Sequence, residues 1–188
     1  GIGMELSKAL AKEGYDLVIV ARREEILKNL KEEILKDNKV NINIVQMDLS
    51  IEENCKDLYE QYKNQIDLLV NNAGFGTYGK FDEIDLDTEL RLINTNITAV
   101  HILTKLFLQD MKKRNSGQIL NVASIAGFLP GPLMAAYYAS KSYVVRLSQA
   151  IKQELKMDKS NVKISVLCPG PVATDFNKVA KVKFTNKM

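Results

Sequence analysis

Tryptophan is absent from the 188 residues, histidine occurs once, cysteine twice and proline four times. His101, Cys55 and Cys168 stand apart with no C-x-x-C pair, so neither a structural zinc site nor a disulfide framework can be assembled and no metal is expected. There is no run of about 18 apolar residues, the length a membrane span requires. Residues 1 to 20 also lack the charged start and apolar centre of a signal peptide, so no membrane partner is expected and a cytoplasmic location is. Charge of one sign is scarce: 26 Lys and Arg stand against 23 Asp and Glu, a net +3. No basic stretch is interleaved with aromatics, which excludes a nucleic-acid groove. Internal repeats, low-complexity tracts and Pro- or Ser-rich linkers are also missing, and 188 residues therefore read as one domain, 1–188, around one core.

What is present is the composition of a soluble globular chain, 46% hydrophobic and 26% charged. Two periods alternate along it. Short β-branched runs of strand length occur at 16–21, 40–47, 66–70, 118–122 and 162–167. Between them the spacing predicts helices over 5–12, 24–36 and 52–63, and two long ones over 88–114 and 137–157. In the first long helix Leu90, Ile93, Ile97, Val100, Leu103, Phe107 and Met111 recur every three or four residues as an apolar stripe, with Asp87 as the expected N-cap. Strands alternating with helices imply right-handed crossovers and a mostly parallel sheet covered on both faces. Such sheets bind ligands beyond the carboxyl ends of their strands. Attention therefore falls on Gly1–Gly3, Arg22, Asp48, Asn71–Gly74, Ser124 and the segment from Pro169 to Thr174.

The chain opens on Gly1-Ile2-Gly3 and a helix, without the strand expected before such a turn, which is central in a doubly wound sheet. It also stops soon after Thr174. These residues are expected to be a fragment of a longer polypeptide.

Tyr137 lies four residues before Lys141 in Y-x-A-S-K near a helix start, so phenol and ammonium share one helix face. A cation there is expected to lower the phenol's pKa from about 10 toward the range of a working general acid or base. Ser124, thirteen residues upstream and just past a strand end, can polarise a substrate carbonyl. The neighbouring Tyr138 has Ser142 as its fourth neighbour and reads as a core or interface aromatic.

In these residues the chain resembles the short-chain dehydrogenase/reductase family, in its compact single-domain branch. The resemblance runs over nearly the whole sequence. It is carried by Gly1 and Gly3 (the last glycines of a T-G-x-x-x-G-x-G turn), Asp48, N-N-A-G at 71–74, Asn96, Ser124, Y-x-x-S-K at 137–141, and Pro169-Gly170 with Thr174. Singly these are weak; in this order and spacing they are specific. The resemblance implies a Rossmann-type α/β fold and an oxidoreductase that interconverts a carbonyl and an alcohol by hydride transfer. Tyr137 would donate or accept the proton, Lys141 would lower its pKa and hold the nicotinamide ribose, Ser124 would orient the carbonyl, and Asn96 would position a water that relays protons to Lys141. Gly1, Ile2, Gly3, Asp48, Asn72, Ala73, Gly74, Pro169, Gly170, Val172 and Thr174 would line the cofactor. A homodimer or homotetramer paired through the two long helices is also implied, as is a small carbonyl, alcohol or acyl-thioester substrate, a 3-oxoacyl thioester among the candidates. A non-catalytic cofactor-binding module is the alternative reading.

Cofactor choice follows from the end of the strand at 16–21. Relatives that take NAD place Asp or Glu there for the ribose hydroxyls, and such a carboxylate repels a 2′-phosphate. Here Ala21 is followed by Arg22 and Arg23. A guanidinium fork matches a phosphate, so NADP(H) is expected, with Arg22 as its reader. His101 and Cys168 read as a surface histidine and an inert thiol. Phe128, Leu129, Met134 and Phe176 fit either pocket lining or core. Ala99, where the family often has glycine, is a small-for-small change.

Overall fold

Each of the five apolar runs becomes a strand, and each segment of helical period is helical, the long one over 88–114 divided in two. The structure is a computed structural model and describes residues 1–171; Val172, Thr174 and Phe176, named above, lie outside the described residues. The chain falls into two compact units, Gly1–Leu49 and Ser50–Met188.

The first unit runs α1 (Ile2–Lys12), β1 (Leu17–Ala21), α2 (Glu24–Asp37) and β2 (Ile42–Gln46). The two strands pair in parallel from Leu17 opposite Ile42 to Ala21 opposite Gln46. Both strand starts are fixed by Asp16, whose carboxylate accepts the Asn41 backbone N–H at 2.7 Å and the Asn41 amide at 3.1 Å. Leu27, Leu30 and Ile34 recur on one face of α2 and are buried with Ala11, Leu17, Ile19 and Ile42. Each such aliphatic side chain contributes about 1.5–3 kcal/mol by leaving water. Parallel pairing brings the carboxyl ends of β1 and β2 side by side, which sets Arg22 next to the residues that follow Gln46.

The second unit contains α3 (Glu52–Tyr62), β3 (Leu68–Asn71), α4 (Leu86–Ile93), α5 (Val100–Lys113), β4 (Gln118–Val122), α6 (Ala135–Met157) and β5 (Lys163–Leu167). Its three strands form a parallel sheet in the order β3-β4-β5. The five strands are found as a parallel pair and a parallel triplet, and among the described residues no strand joins β1 to β3, where the strand expected before Gly1 would be central.

The long helix expected over 88–114 differs in three ways. Asp85, and not Asp87, is its N-cap, its carboxylate accepting the Thr88 N–H at 2.9 Å and the Thr88 hydroxyl at 2.8 Å. These bonds favour the ionised form and hold the Asp85 pKa below the usual carboxylate value. Between α4 and α5 the backbone widens into a π-helical segment, Asn94–Ala99. One added residue rotates the following face by about 100°, so the stripe slips phase. Val100, Leu103, Phe107 and Met111 are buried on α5, whereas Leu90 and Ile93 on α4 face solvent and Leu92 takes the buried position.

Candidate active site

The strand ends of the second unit converge on the residues singled out by motif. Asn71 closes β3, and Asn72, Ala73 and Gly74 form the turn beyond it. Ser124 lies two residues past β4 and caps a short 3-10 turn, Ile125–Phe128, by accepting the Ala126 N–H at 3.1 Å. The Ile125 N–H donates to the Pro169 carbonyl at 3.1 Å, which brings the segment after β5 against the segment after β4. Tyr137 and Lys141 sit in the first two turns of α6, on one face as their spacing requires.

Asn96 lies in the π-helical segment and is fully buried. Its amide N–H groups donate to the Phe75 carbonyl at 2.9 Å and to Ser140 Oγ at 3.1 Å, and its oxygen accepts the Phe75 N–H at 3.1 Å. Ser140 in turn donates to the Tyr137 carbonyl at 2.7 Å. One side chain therefore ties the turn beyond β3 to α6 between Tyr137 and Lys141. Both amide N–H groups are used in this way, so the Asn96 side chain acts here as a clamp. Ser140 stands inside the Y-x-x-S-K motif, and its lack of charge left its role invisible in the sequence.

Lys141 is 6% exposed, and its ammonium donates to the Val122 carbonyl at 3.0 Å. Burial pushes its pKa down to about 8, slightly offset by the Cys168 thiol nearby. The nitrogen lies 5.8 Å from the centroid of the Tyr137 ring. Tyr137 is half-buried, and burial raises its pKa above the ordinary phenol value; a hydrogen bond with Ser124 acts in the other direction. The net direction is upward because desolvation dominates, opposite to the lowering expected from a neighbouring cation, whose ammonium is here engaged on a backbone carbonyl. A raised pKa leaves the phenol protonated at neutral pH, the state in which it can deliver a proton.

The turn at Gly74 and the Lys141 ammonium would hold a nicotinamide cofactor. A Cβ placed at Gly74 would lie 3.0 Å from Asn96 Oδ1 and 3.4 Å from Lys141 Nζ, so any larger residue would press on the clamp and the ammonium. Lys141 has further N–H donors beyond the one used on Val122. Gly170 is exposed, and Pro169 is half-buried beside Ser124.

In the first unit, Gly1, Ile2 and Gly3 form the start of the eleven-residue helix α1, whose first N–H groups favour an anion. Arg22 follows β1 directly, and its side chain is 55% exposed, with Asp48 Oδ2 at 4.0 Å from its guanidinium. That separation is the outer limit of an ion pair and leaves the guanidinium fork facing solvent.

The remaining residues are placed more simply. Tyr138 is half-buried and packs edge-on to Tyr137, with ring centroids 6.1 Å apart. His101 is exposed, its Nδ1 2.6 Å from the Tyr143 hydroxyl. Burial raises the pKa of Cys168, consistent with an unreactive thiol. Phe128 and Leu129 are exposed and Met134 half-buried, so none of the three belongs to a core. Among the described residues no His, Cys, Asp and Glu group could hold a metal, and no helix is long and apolar enough to cross a membrane.

Comparison with known proteins agrees with this geometry. The short chain dehydrogenase family matches residues 1–183. A very-long-chain 3-oxoacyl-CoA reductase of Rattus norvegicus is 34% identical over 190 residues, covering 96% of this chain and 59% of that protein. The 17-beta-hydroxysteroid dehydrogenase type 3 of Mus musculus is 36% identical over 193 residues, covering 98% of this chain and 61% of that one. The chain thus spans about three-fifths of the length of these curated relatives. Among solved structures, a short-chain dehydrogenase from Sphingobium yanoikuyae in complex with NADPH superposes with a TM-score of 0.92 at 27% identity, over 100% of this chain and 74% of its own. With its parallel α/β architecture and a family match over nearly its whole length, the chain belongs to the short-chain dehydrogenase family.

Proposed function

We propose that the protein is an NADP(H)-dependent oxidoreductase that interconverts a carbonyl and a secondary alcohol, with Tyr137 as general acid and base. The observation that carries this reading is the assembly of Asn96, Ser124, Tyr137 and Lys141 at the carboxyl ends of β3 and β4 and the start of α6. A non-catalytic cofactor-binding module can use Lys141 but has no need of a phenol hydrogen-bonded to Ser124 beside it.

When bound, a reduced nicotinamide supplies the hydride. The chain's own residues do the rest. Ser124 orients the substrate oxygen and, through its bond to Tyr137, keeps the phenol on the same atom. Tyr137 delivers its proton to that oxygen, a step worth about 10²–10⁴ in rate for a positioned acid. Lys141, Pro169 and Gly170 would hold the nicotinamide end, and the turn at Asn72, Ala73 and Gly74 would lie beside the adenine ribose. The buried Lys141 ammonium also stabilises the phenolate left behind. Asn96 keeps the turn and α6 in register.

Gly1, Ile2 and Gly3 would take the pyrophosphate, Asp48 the adenine and Arg22 the 2′-phosphate. An exposed guanidinium at a strand end gains a charge-assisted bidentate bond to a phosphate dianion. Arg22→Glu removes that bond and adds repulsion, so NADPH affinity is expected to fall about 100-fold while NADH affinity holds or rises. Fluorescence titration of both proteins with both cofactors reads this directly. Equal NADPH affinity in the variant would rule out Arg22 as the phosphate reader.

Within the enzyme class we favour a 3-oxoacyl thioester substrate, supported by the acyl-CoA reductase among the relatives. We also propose a homo-oligomer, because Leu86, Leu90 and Ile93 place 67%, 46% and 37% exposed apolar side chains on one face of α4. Leu90→Glu is expected to lower the mass measured by light scattering to that of one chain. An unchanged mass would place any pairing elsewhere.

A further inference from the structure

Beneath the candidate site four polar side chains meet in an otherwise apolar interior. Asn71, Asn121, Thr104 and Ser148, from β3, β4, α5 and α6, are 6%, 0%, 1% and 2% exposed. The Asn121 amide N–H donates to Ser148 Oγ at 2.9 Å, and its oxygen accepts from the Asn71 amide at 2.9 Å. Asn71 also donates to Thr104 Oγ1 at 3.0 Å, and Ser148 donates to the Val144 carbonyl at 2.8 Å. Leaving any one of these groups unpaired would cost about 1–3 kcal/mol, whereas replacing both partners of a bond by apolar groups of similar shape is nearly neutral. Stability alone therefore does not call for the set. A connected polar network adds a fixed register, because each bond is satisfied in only one arrangement.

The element whose register is fixed is α6. Ser148 lies seven residues after Lys141, two turns along the same helical face. Asn121 and Val122 are consecutive residues of β4. One takes Ser148 and the other takes Lys141, so a single strand holds the helix at two points. A slip of α6 by one residue, about 1.5 Å and 100°, would break both bonds at once. Asn71, the third member, immediately precedes the turn at Asn72–Gly74, so the same network reaches the cofactor side of the site.

We propose that Asn121 and Ser148 are positioning residues for Lys141, their hydrogen bond fixing α6 on β4 so that the lysine ammonium stays on the Val122 carbonyl. The catalytic consequence rests on the oxidoreductase reading; the positioning itself does not, and the test separates them.

In the double variant Asn121→Leu with Ser148→Ala both partners of that bond leave together. Asn71 keeps its bond to Thr104 at 3.0 Å, while the Asn71 amide and the Thr104 hydroxyl lose theirs to Asn121 Oδ1, at 2.9 and 3.4 Å, a cost in stability that the fold check reads. The fold is checked by circular dichroism and Tm. Titration of the Lys141 side-chain ammonium by NMR, centred at about 8 in the wild type, is expected to move up toward that of an exposed lysine as the side chain is released toward water. Turnover of a carbonyl is expected to fall about tenfold in kcat with KM for the carbonyl near its wild-type value, a tenfold change being about 1.4 kcal/mol of barrier. An unchanged Lys141 titration in the folded variant overturns the proposal, whatever the turnover. A shifted titration supports it even if the wild-type protein reduces no carbonyl, an outcome that would instead remove the oxidoreductase reading. Should the double variant not fold, Ser148→Ala alone decides between the same outcomes: a smaller upward shift supports the positioning role, and none overturns it.

Discussion

Replacing Tyr137 by Phe is expected to lower carbonyl turnover by about a thousandfold and to leave cofactor affinity close to that of the wild type. The substitution removes one oxygen. The ring remains, edge-on to Tyr138 and over the same turn of α6, so packing changes little. What disappears is the proton donor and its hydrogen bond with Ser124. Because burial holds the phenol above the ordinary tyrosine pKa, it carries its proton throughout the neutral range, and reduction is not limited there by loss of the acid. The limb expected in the pH profile belongs to Lys141: as pH rises through about 8 the ammonium loses the charge that stabilises the phenolate. A steady-state pH series on both proteins, with cofactor affinity measured separately, checks all of this. Wild-type rates in the Phe variant would remove Tyr137 from the mechanism.

Lys141→Met is expected to abolish turnover and yet leave the protein at least as stable at pH 7. A lysine held at about 8 in the native state and near 10.5 when unfolded binds its proton more weakly when folded. At neutral pH, below both values, that difference opposes folding by about 3 kcal/mol. Between about 8 and 10.5 the unfolded chain holds more proton than the native one. This group's contribution therefore becomes more favourable as pH rises through that window, and above it the penalty is gone. Methionine removes the buried charge but also leaves the Val122 carbonyl without its partner, at a cost of about 1–3 kcal/mol. The net gain expected at pH 7 is about 0–2 kcal/mol, reversing above pH 10. Denaturant unfolding at several pH values measures it. Destabilisation at pH 7 would mean that Lys141 is better solvated, or better paired, than its burial implies.

Much of this was legible from the sequence because its signals are local. The apolar runs that became β1 to β5 are β-branched and bounded by turns, and the Tyr137–Lys141 spacing places both side chains on one face regardless of the rest of the fold. The boundaries of α4 and α5 were not legible, because Asp85 and Asp87 are equally good caps by type. The structure decides between them by the turn that precedes Leu86. Nor does any spacing rule announce a π-helical segment, since its extra residue looks like one more position in a stripe. The direction of the Tyr137 pKa was hidden for a related reason. Proximity of a cation was visible in the spacing, whereas burial and the Val122 carbonyl come from strands far away in sequence. The clue to the network was present: Asn71 and Asn121 interrupt LLVN and QILNV, each a polar residue in a strand otherwise built for the interior. Its partners Thr104 and Ser148 could be found only once α5 and α6 were laid on the sheet.

The most direct test of the central claim is to follow the hydride. The protein would be incubated with NADPH deuterated at the transferring position and a panel of carbonyl compounds, from small ketones to 3-oxoacyl thioesters, and the products read by mass spectrometry. The expected result is an alcohol carrying one deuterium on its carbinol carbon, formed faster with NADPH than with NADH and absent with Tyr137→Phe. A folded protein that binds NADPH and transfers deuterium to none of these carbonyls would contradict it, and would leave a cofactor-binding module in place of an enzyme.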